Sequence, residues 1–400
     1  MTIRIHEPKS NSDTTSRGWV KVRFDALAEN IVEHVEVPSE SGYDRFVGGD
    51  HLDPGSLKIT RWGSTDDVEA QKLLFKKGHI LFGKRNAYLR KVAYADFDGV
   101  CSAHMLVLQA KPDYIIEEFL PFFMQTDQFW ERALMISEGS MSPTIKWKIL
   151  AQQEFVIPPK DEQRRIADIL WAADETIEKY GEVIERVRAT RNVLREVKFD
   201  NTKNNDIRLA DLCEPKGIQI GPFGSQLHAS DYVNDGIPVI MPSDIANDSV
   251  NEFSIARITS KTADRLSIHK VQPGDILLPR RGELNKRAFI LPNQTGWICG
   301  TGSIRVRVRP SIIARAVFHA LSATQTVKWI EDHAVGTTMP NLNAQIVSNI
   351  PISLPEKHEL ENVVQKLESL NDVISLQAKN IKTLKLLKKT LMDILLQKGG

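Results

Sequence analysis

The sequence predicts an α+β protein made of two duplicated domains with small β-rich sheets, separated by two long helices that pack as an antiparallel coiled coil. Three observations support this fold class: an internal repeat with a period of about half the chain, a strand-rich block in each half, and a long apolar heptad pattern after each block. The composition agrees, because 42% of the 400 residues are hydrophobic and 26% are charged, as in a globular chain.

The internal repeat is clearest near the end of each block. The run EGSMSPTIKWKILAQQEFVIPPKDEQ, which begins at Glu138, aligns without gaps to VGTTMPNLNAQIVSNIPISLPEKHEL, which begins at Val335. Pro143 then falls on Pro340, an offset of 197 residues. A period this long indicates duplicated domains and not a solenoid of small units.

A second pair of segments repeats earlier in each block. Residues 75–110 and 271–310 both contain a Gly-(His/Asp)-Ile-Leu run, a basic turn, a β-rich stretch and a cysteine. The β-branched and aliphatic runs predict strands, and the polar and glycine-rich breaks between them predict turns. We expect the main strands at Ile80–Phe82, Met105–Leu108, Val239–Ile240, Ile276–Leu278 and Ile304–Arg309, and short helices at Ile115–Thr126 and Ala314–Trp329.

Each half ends in a long helical pattern whose apolar residues step by three and four. A 3.5-residue repeat over four or more heptads predicts a coiled coil, and neither helix can bury its apolar seam alone. The polar residues Arg191, Gln377 and Lys388 interrupt the two seams. The predicted division is domain 1 at 1–157, a central helix at 158–200, domain 2 at 201–354 and a C-terminal helix at 355–400.

Charge and cysteine content exclude several classes of protein. There are 52 Lys and Arg against 51 Asp and Glu, so the chain is not a simple polycation, although local basic patches remain open. Three cysteines without C-x-x-C spacing argue against a disulfide scaffold and a structural zinc site. The first residues lack an apolar signal core and no stretch is long enough to cross a bilayer, so we expect a soluble, cytoplasmic protein without a membrane partner.

Enzyme motifs are weak or missing. Residues 78–85 resemble a P-loop, but Arg85 replaces the hydroxyl that binds magnesium, and the loop interior reads as a strand. The Gly300–Gly302 pair lacks a third glycine, and the chain contains neither G-x-S-x-G nor H-E-x-x-H. Cys101 and His104 could form a thiol–imidazole pair, but a buried cysteine in a strand is the favoured interpretation. We therefore expect no catalytic residue, no metal site and no cofactor in this chain.

Polar loops at equivalent places in the two halves point instead to nucleic-acid binding. Arginine forks match guanine and phosphate oxygens, Asn and Gln match adenine, and Lys attracts phosphate. Taken singly such loops could serve only solubility, but their recurrence favours nucleic acid. The candidate residues are Lys84, Arg85, Asn86, Tyr88, Arg90, Ser142, Thr144 and Lys146 in the first half, and Gln219, Ser225, Gln226, Arg280, Arg281, Asn285, Lys286, Arg287, Thr337, Thr338, Asn341 and Asn343 in the second.

The same segments carry a family resemblance. The run GPFGSQLHASDYVNDGIPVIMPSDI at 221–245 and the stretch 271–290 are similar to the opening of a target recognition domain. The first half has a variant opening, GGDHLDPGSLKITRWG at 48–63, which also occurs in such domains. Over nearly its whole length the chain resembles the specificity (S) subunit of Type I restriction–modification systems. Because the first half lacks the Gly-Pro-Phe-Gly opening, its equivalent contact loop is less well defined.

The resemblance implies a non-catalytic function. Each recognition domain would read one half of a bipartite site in double-stranded DNA, and the helices would set the spacing. The partners would be two methyltransferase (M) subunits, which carry S-adenosylmethionine and methylate adenine, and restriction (R) subunits, which carry ATP and magnesium. Two other interpretations stay open: an enzyme with its own recognition domains, and a protein-binding coiled-coil adaptor that does not read DNA.

Overall fold

The computed structural model describes residues 18–199, 207–224, 226–336 and 340–396, with side chains described to 394. The chain forms two compact units. Unit 1 comprises Met1–Tyr180 with Lys379–Gly400, and unit 2 comprises Gly181–Ala378. Each unit therefore contains one strand-rich block and a segment of each long helix. The four-part division by residue number stays a prediction.

The first strand-rich block contains short strands and helices and is followed by the first long helix, which belongs to unit 1 up to Tyr180. The bounds are β1 Val20–Arg23, α1 Phe24–Leu27, β2 Ala28–Ile31, β3 His34–Val35, β4 Arg45–Val47, β5 Gly63–Ser64, β6 Lys72–Phe75, β7 Ile80–Gly83, β8 Val92–Tyr94, β9 Gly99–Cys101, β10 Met105–Ala110, α2 Leu120–Phe123, α3 Asp127–Met135, α4 Trp147–Leu150, β11 Glu154–Ile157 and α5 Lys160–Lys198. The strands form sheets of order β2-β10-β7-β8, β3-β6-β9-β4-β5 and β1-β11.

The second strand-rich block repeats the plan and is followed by the second long helix, which belongs to unit 2 up to Ala378. Its elements are α6 Leu209–Leu212, β12 Cys213–Ile220, β13 Tyr232–Val233, β14 Ile237–Ile240, β15 Ile245–Ala246, β16 Ser249–Val250, β17 Arg257–Ile258, α7 Ser260–Arg265, β18 Ile276–Pro279, β19 Ala288–Phe289, β20 Ile298–Cys299, β21 Ser303–Val308, α8 Ser311–Ala320, α9 Thr324–His333, α10 Ala344–Ser348 and α11 Lys357–Leu396. The sheets have the orders β12-β21-β18-β19, β13-β17-β14-β20 and β15-β16.

The two blocks share one sheet topology. In both main sheets the six-residue strand, β10 or β21, lies between the first strand and the Ile-Leu strand, and all pairs are antiparallel. In both second sheets one pair is parallel, β4 with β9 and β14 with β20. The duplication predicted from the sequence is thus present in the backbone hydrogen bonds.

The cores of the two units differ in composition. Unit 1 buries a cluster of aromatic rings, in which Phe129 lies 5.5 Å from Phe24 and 5.6 Å from Phe155 between ring centroids. The corresponding core of unit 2 consists mainly of aliphatic and alanine side chains, with Phe199, Phe289 and Phe318 as its phenylalanines.

The predicted strands are confirmed, except that the last one ends at Val308 and not at Arg309. The predicted helix at 115–126 is wrong in length, because only α2 is helical there, and the one at 314–329 is divided between α8 and α9.

The long helices α5 and α11 contain 39 and 40 residues and pack against each other in antiparallel orientation. In unit 1, Lys388 Nζ lies 2.6 Å from an Asp174 carboxylate oxygen. In unit 2, Arg191 Nη1 donates to Asn371 Oδ1 at 2.9 Å, and Lys198 Nζ donates to Glu359 at 2.9 Å. Partner numbers fall as α5 advances, as an antiparallel pair requires. The predicted fold class is therefore confirmed, and two of the polar seam residues have polar partners.

No helix in the described residues is long and apolar enough to span a membrane.

Candidate nucleic-acid interface

The basic loop and the polar turn of unit 1 lie side by side, although Arg85 and Ser142 are 57 residues apart in sequence. The backbone N–H of Ile145 donates to the carbonyl of Lys84 at 2.8 Å, and that of Asn86 donates to Pro143 at 2.8 Å. Arg85 also forms a bridge with Thr144. The loop that follows β7 and the turn that precedes α4 thus form one surface.

Side chains on this surface are held by hydrogen bonds. Arg85 Nε donates to Ser142 Oγ at 2.9 Å, and that hydroxyl donates to Asn86 Oδ1 at 2.8 Å. One guanidinium nitrogen of Arg85 lies 3.4 Å from His104 Nε2. Asn86 and Arg90 have φ of 56° and 50°, so the loop passes twice through the left-handed region. The arrangement presents an exposed arginine on a fixed backbone.

The remaining candidates of unit 1 lie around Arg85 and differ in their exposure and in their ion pairs. Tyr88 is 59% exposed, which leaves its ring available for stacking. Arg90 pairs with Asp127 at 2.5 Å, and Lys146 pairs with Glu138 at 2.6 Å. Lys84 is half-buried, and burial lowers the pKa of its ammonium group. Lys84 and Arg85 therefore supply positive charge here without a carboxylate partner among the described ion pairs.

Unit 2 builds the same junction from its own residues. The backbone N–H of Leu342 donates to the carbonyl of Arg280 at 2.8 Å, and Arg281 forms a bridge with Asn341. The Arg280 side chain donates through Nε to Asn341 Oδ1 at 3.1 Å. Asn343 is exposed, but its side chain caps α10 by accepting from Ile346 N at 2.9 Å. The two polar loops therefore meet at equivalent places in both units.

The Gly-Pro-Phe-Gly loop borders this junction in unit 2. Phe223 is 54% exposed, and the Arg280 guanidinium lies 5.6 Å from the centre of its ring. Only glycine fits at position 221, because a Cβ there would come within 1.9 Å of the Gly300 carbonyl oxygen. Gln226 accepts from Phe223 N at 3.1 Å, and Gln219 donates to the carbonyl of Ile220 at 3.1 Å. Both amide side chains are thereby engaged locally.

Three candidates, Ser225, Thr337 and Thr338, lie outside the described residues.

One candidate is wrong. Arg287 is only 6% exposed, and its guanidinium pairs with Asp248 at 2.7 Å and donates to the carbonyl of Phe318 at 3.1 Å. A guanidinium enclosed in this way cannot reach a phosphate or a base edge. Its neighbours Asn285 and Lys286 remain accessible, although Lys286 pairs with Glu283 at 2.6 Å. Spacing alone could not show which end of the basic run faces the interior.

Two exposed residues near the junctions, His104 and Phe223, were not among the candidates. His104 is exposed beside Arg85, and both burial and that guanidinium lower the pKa of its imidazole. Phe223 lies inside the glycine-rich loop, and a single aromatic residue in such a loop was the sequence signal that could have identified it.

Cys101 is buried in β9, and burial raises the pKa of its thiol to about 12, which confirms a structural cysteine. Among the described residues, no three His, Cys, Asp or Glu side chains form a metal-binding group.

Comparison with known proteins identifies the family to which this duplicated arrangement belongs. A family model described as the Type I restriction modification DNA specificity domain matches residues 46–187 and again residues 201–386. The chain belongs to this family. The two matches correspond to the two strand-rich blocks with their following helices, so the chain carries two DNA-recognition domains.

Relatives and solved structures agree with the family. The chain is 31% identical over 166 residues to the EcoDI specificity subunit of Escherichia coli, an alignment that covers 40% of this chain and 36% of that relative. It is 20% identical over 327 residues to the MjaVIII specificity subunit of Methanocaldococcus jannaschii, covering 74% and 73%. A Type I system S subunit from M. genitalium shares the fold, with a TM-score of 0.60, 18% identity and 98% of each chain covered.

Proposed function

We propose that this chain is the non-catalytic specificity subunit of a Type I restriction–modification complex and that it recognises a bipartite site in double-stranded DNA. Each recognition domain reads one half-site. The paired helices set the distance between the halves, since an α-helix of this length extends for about 60 Å. The chain directs adenine methylation and restriction, which partner subunits carry out.

The observation that supports this proposal is the junction of basic loop and polar turn, built twice. Arg85 beside Thr144 in unit 1 and Arg281 beside Asn341 in unit 2 occupy the same place in the two sheets. Both arginines are exposed, and both lie on loops held by backbone hydrogen bonds. An exposed guanidinium on a fixed loop suits groove recognition, because base contacts need defined side-chain positions. Differences between the loops allow two different half-sequences.

The proposed partners follow from the family. Two methyltransferase subunits that carry S-adenosylmethionine dock on the helices, and restriction subunits that carry ATP and magnesium complete the complex. Phosphate contacts supply affinity and salt dependence, whereas base contacts supply the sequence preference. A net charge near zero on this chain is compatible with phosphate binding by the whole complex, since partners would contribute further positive charge.

The experiment begins by sequencing the methylome with and without the protein, which gives the bipartite motif. The complex with the methyltransferase is then tested on duplexes that carry one substituted base pair in either half-site. Arg281→Ala should weaken binding by about 1–3 kcal/mol and relax discrimination in one half-site only, and Arg85→Ala should do so in the other. Lys261→Ala, an exposed cation outside these loops, serves as the matched control.

Equal binding by wild type and both arginine variants across a salt titration would contradict the proposal. Loss of the same half-site in both variants would contradict the assignment of one half-site to each unit. Absence of any DNA binding by the assembled complex would favour the coiled-coil adaptor instead.

A further inference from the structure

A largely buried cluster of charged side chains lies in unit 2 behind the basic loop, where it lines a cavity. We call it the charged joint and define it as Arg191, Arg195, Asp248 and Arg287. Asp248 accepts from Arg287 at 2.7 Å through one carboxylate oxygen. Through the other it accepts from Arg195 at 2.8 Å and lies 3.3 Å from Arg191. One carboxylate thus holds three guanidinium groups that come from α5 and from the loop after β18.

The backbone around Asp248 fixes the carboxylate in this position. Strands β15 and β16 are joined by the two-residue turn Asn247-Asp248, and both residues have positive φ, 52° and 65°. Two left-handed residues between paired strands form a type I′ turn, in which Asn and Asp are well tolerated. The hairpin therefore directs Asp248 between the loop and the helix without needing glycine.

Arg287 connects the joint to the reading loop 280–287. In addition to its ion pair, its Nε donates to the carbonyl of Phe318 at 3.1 Å, and its Nη1 donates to the carbonyl of Asn285 at 3.3 Å. Its guanidinium also lies 5.1 Å from the centre of the Phe318 ring. These contacts hold the C-terminal end of the loop, while β18 holds the start. The exposed Arg281 lies between the two fixed ends.

Arg195 connects the joint to the second long helix. Its Nε donates to His319 Nδ1 at 3.1 Å, and His319 Nε2 lies 3.0 Å from a Glu368 carboxylate oxygen on α11. Arg315 forms an ion pair with the same Glu368. A chain of charged and polar contacts therefore runs from the reading loop to α5 and on to α11, all within unit 2.

The charge balance makes Asp248 the central member. Burial opposes ionisation of its carboxyl group, but Arg287 and Arg195 outweigh that effect and lower its pKa. Without the carboxylate, three guanidinium groups would face one another in the interior with little compensation. Breaking a buried ion pair by removing one partner is costly because the other charge stays buried.

We propose that Asp248 is a positioning residue for DNA reading by the second recognition domain, holding loop 280–287 in register with the paired helices. The inference rests on the proposed function and adds a residue that does not touch DNA. Its effect reaches the DNA through Arg287 and the loop.

The test compares Asp248→Asn with Lys286→Ala in the complex with the methyltransferase, on the duplexes of the methylome motif. Asp248→Asn should weaken binding to the full site about tenfold or more and reduce discrimination at the second half-site. Discrimination at the first half-site should not change. The slope of affinity against salt should also stay constant, because no phosphate contact is lost.

Lys261→Ala, an exposed cation outside the reading loop, is the matched control, and Lys286→Ala is the comparison for loss of a phosphate contact. An accessible lysine that attracts phosphate should reduce the salt slope by about one and leave discrimination at both half-sites unchanged. Arg287→Lys is the second variant, because it keeps the buried charge but loses the fork that contacts Asp248 and Phe318 together. It should reproduce the loss of discrimination at the second half-site in a weaker form, even where Asp248→Asn does not fold.

Unchanged discrimination at the second half-site in a folded Asp248→Asn or Arg287→Lys complex would overturn the proposal. So would a fall in the salt slope for Asp248→Asn, which would show that a phosphate contact had been lost. A wild-type complex without sequence preference would refute the proposed function itself, an outcome that the wild-type arm reports separately.

Discussion

The two recognition domains meet the long helices through different chemistry. In unit 1, Lys388 is buried between the Asp174 carboxylate and the ring of Phe122, whose centre is 4.9 Å away. Phe122 also packs edge-on against Trp171, with centroids 4.8 Å apart. In unit 2, Arg191 of the charged joint occupies the position that corresponds to Lys388 at the offset of 197 residues.

The same offset of 197 residues relates two further pairs of residues at these attachments. His319 takes the place of Phe122, and Arg195 takes the place of Met392, which is buried in the aromatic core of unit 1. One backbone arrangement thus accepts both a mainly apolar attachment with a single ion pair, in unit 1, and an ionic attachment, in unit 2. The apolar one depends mainly on buried area, whereas the ionic one depends on the distances and charges of a few groups. We expect the two units to respond differently to core truncation and to pH, and the two long helices to differ in helix propensity at one equivalent position.

The largest effect is expected from Phe122→Ala in unit 1. Its ring is fully buried, so the change removes aromatic contacts and leaves a cavity beside Lys388. Truncation of a buried phenylalanine costs about 3–5 kcal/mol in free energy of unfolding. Urea unfolding of the full chain measures this change. Phe253→Ala, at a ring that is 84% exposed, is the control and should have little effect. Equal effects would show that the apolar attachment does not stabilise unit 1.

A smaller effect is expected from pH in unit 2. The pKa of His319 is lowered to about 4, mainly because burial disfavours the charged imidazole. In the unfolded chain it is near 6.5, so between these values the unfolded state binds a proton that the folded state does not. Stability should therefore fall as pH drops from about 6.5 to 4, by on the order of 2–3 kcal/mol. Urea unfolding across this range measures the loss.

His319→Gln is the control for that prediction, since it keeps a polar side chain but cannot titrate. The slope of stability against pH in that window should become clearly shallower. The contributions of Asp248 and Glu368, whose pKa values are lowered, are lost only at more acidic pH. An unchanged slope in His319→Gln would assign the pH dependence to other groups.

The smallest effect is expected within the long helices. Gly181 lies inside α5, and a Cβ there would meet no atom within 4 Å. The corresponding residue of α11 is Ala378, which is exposed. Gly181→Ala should raise the free energy of unfolding by about 0.5–1 kcal/mol, and Ala378→Gly should lower it by a similar amount. Thermal unfolding of both variants measures the pair, and shifts of the same sign would contradict the helix-propensity explanation.

Much of the fold could be predicted from the sequence because the signals are local or repeated. The strands β7, β10, β18 and β21 follow continuous apolar runs, and α5 and α11 follow sustained heptads. The polar interruptions Arg191 and Lys388 were also visible. Their partners could not be predicted, because Asp174 and Asn371 each lie on the other helix and the register of the two helices determines which residues are in contact.

The candidate DNA surface was predictable only in part. Basic composition located both loops, and the repeat showed that they correspond. Composition could not separate Arg281, which is exposed, from Arg287, which is buried six positions later. That difference depends on Asp248, which lies 39 residues before Arg287 on a hairpin that the sequence analysis did not identify.

The sequence by itself determined the duplication, the strand-rich blocks, the two long helices and the family, because periodicity and residue order are properties of the chain. The tertiary structure decided which cations face solvent and which are enclosed, how each polar turn meets its basic loop, and which chemistry attaches each domain to the helices. Those features depend on burial and on distances of a few ångströms between residues far apart in sequence, and no local pattern encodes such distances.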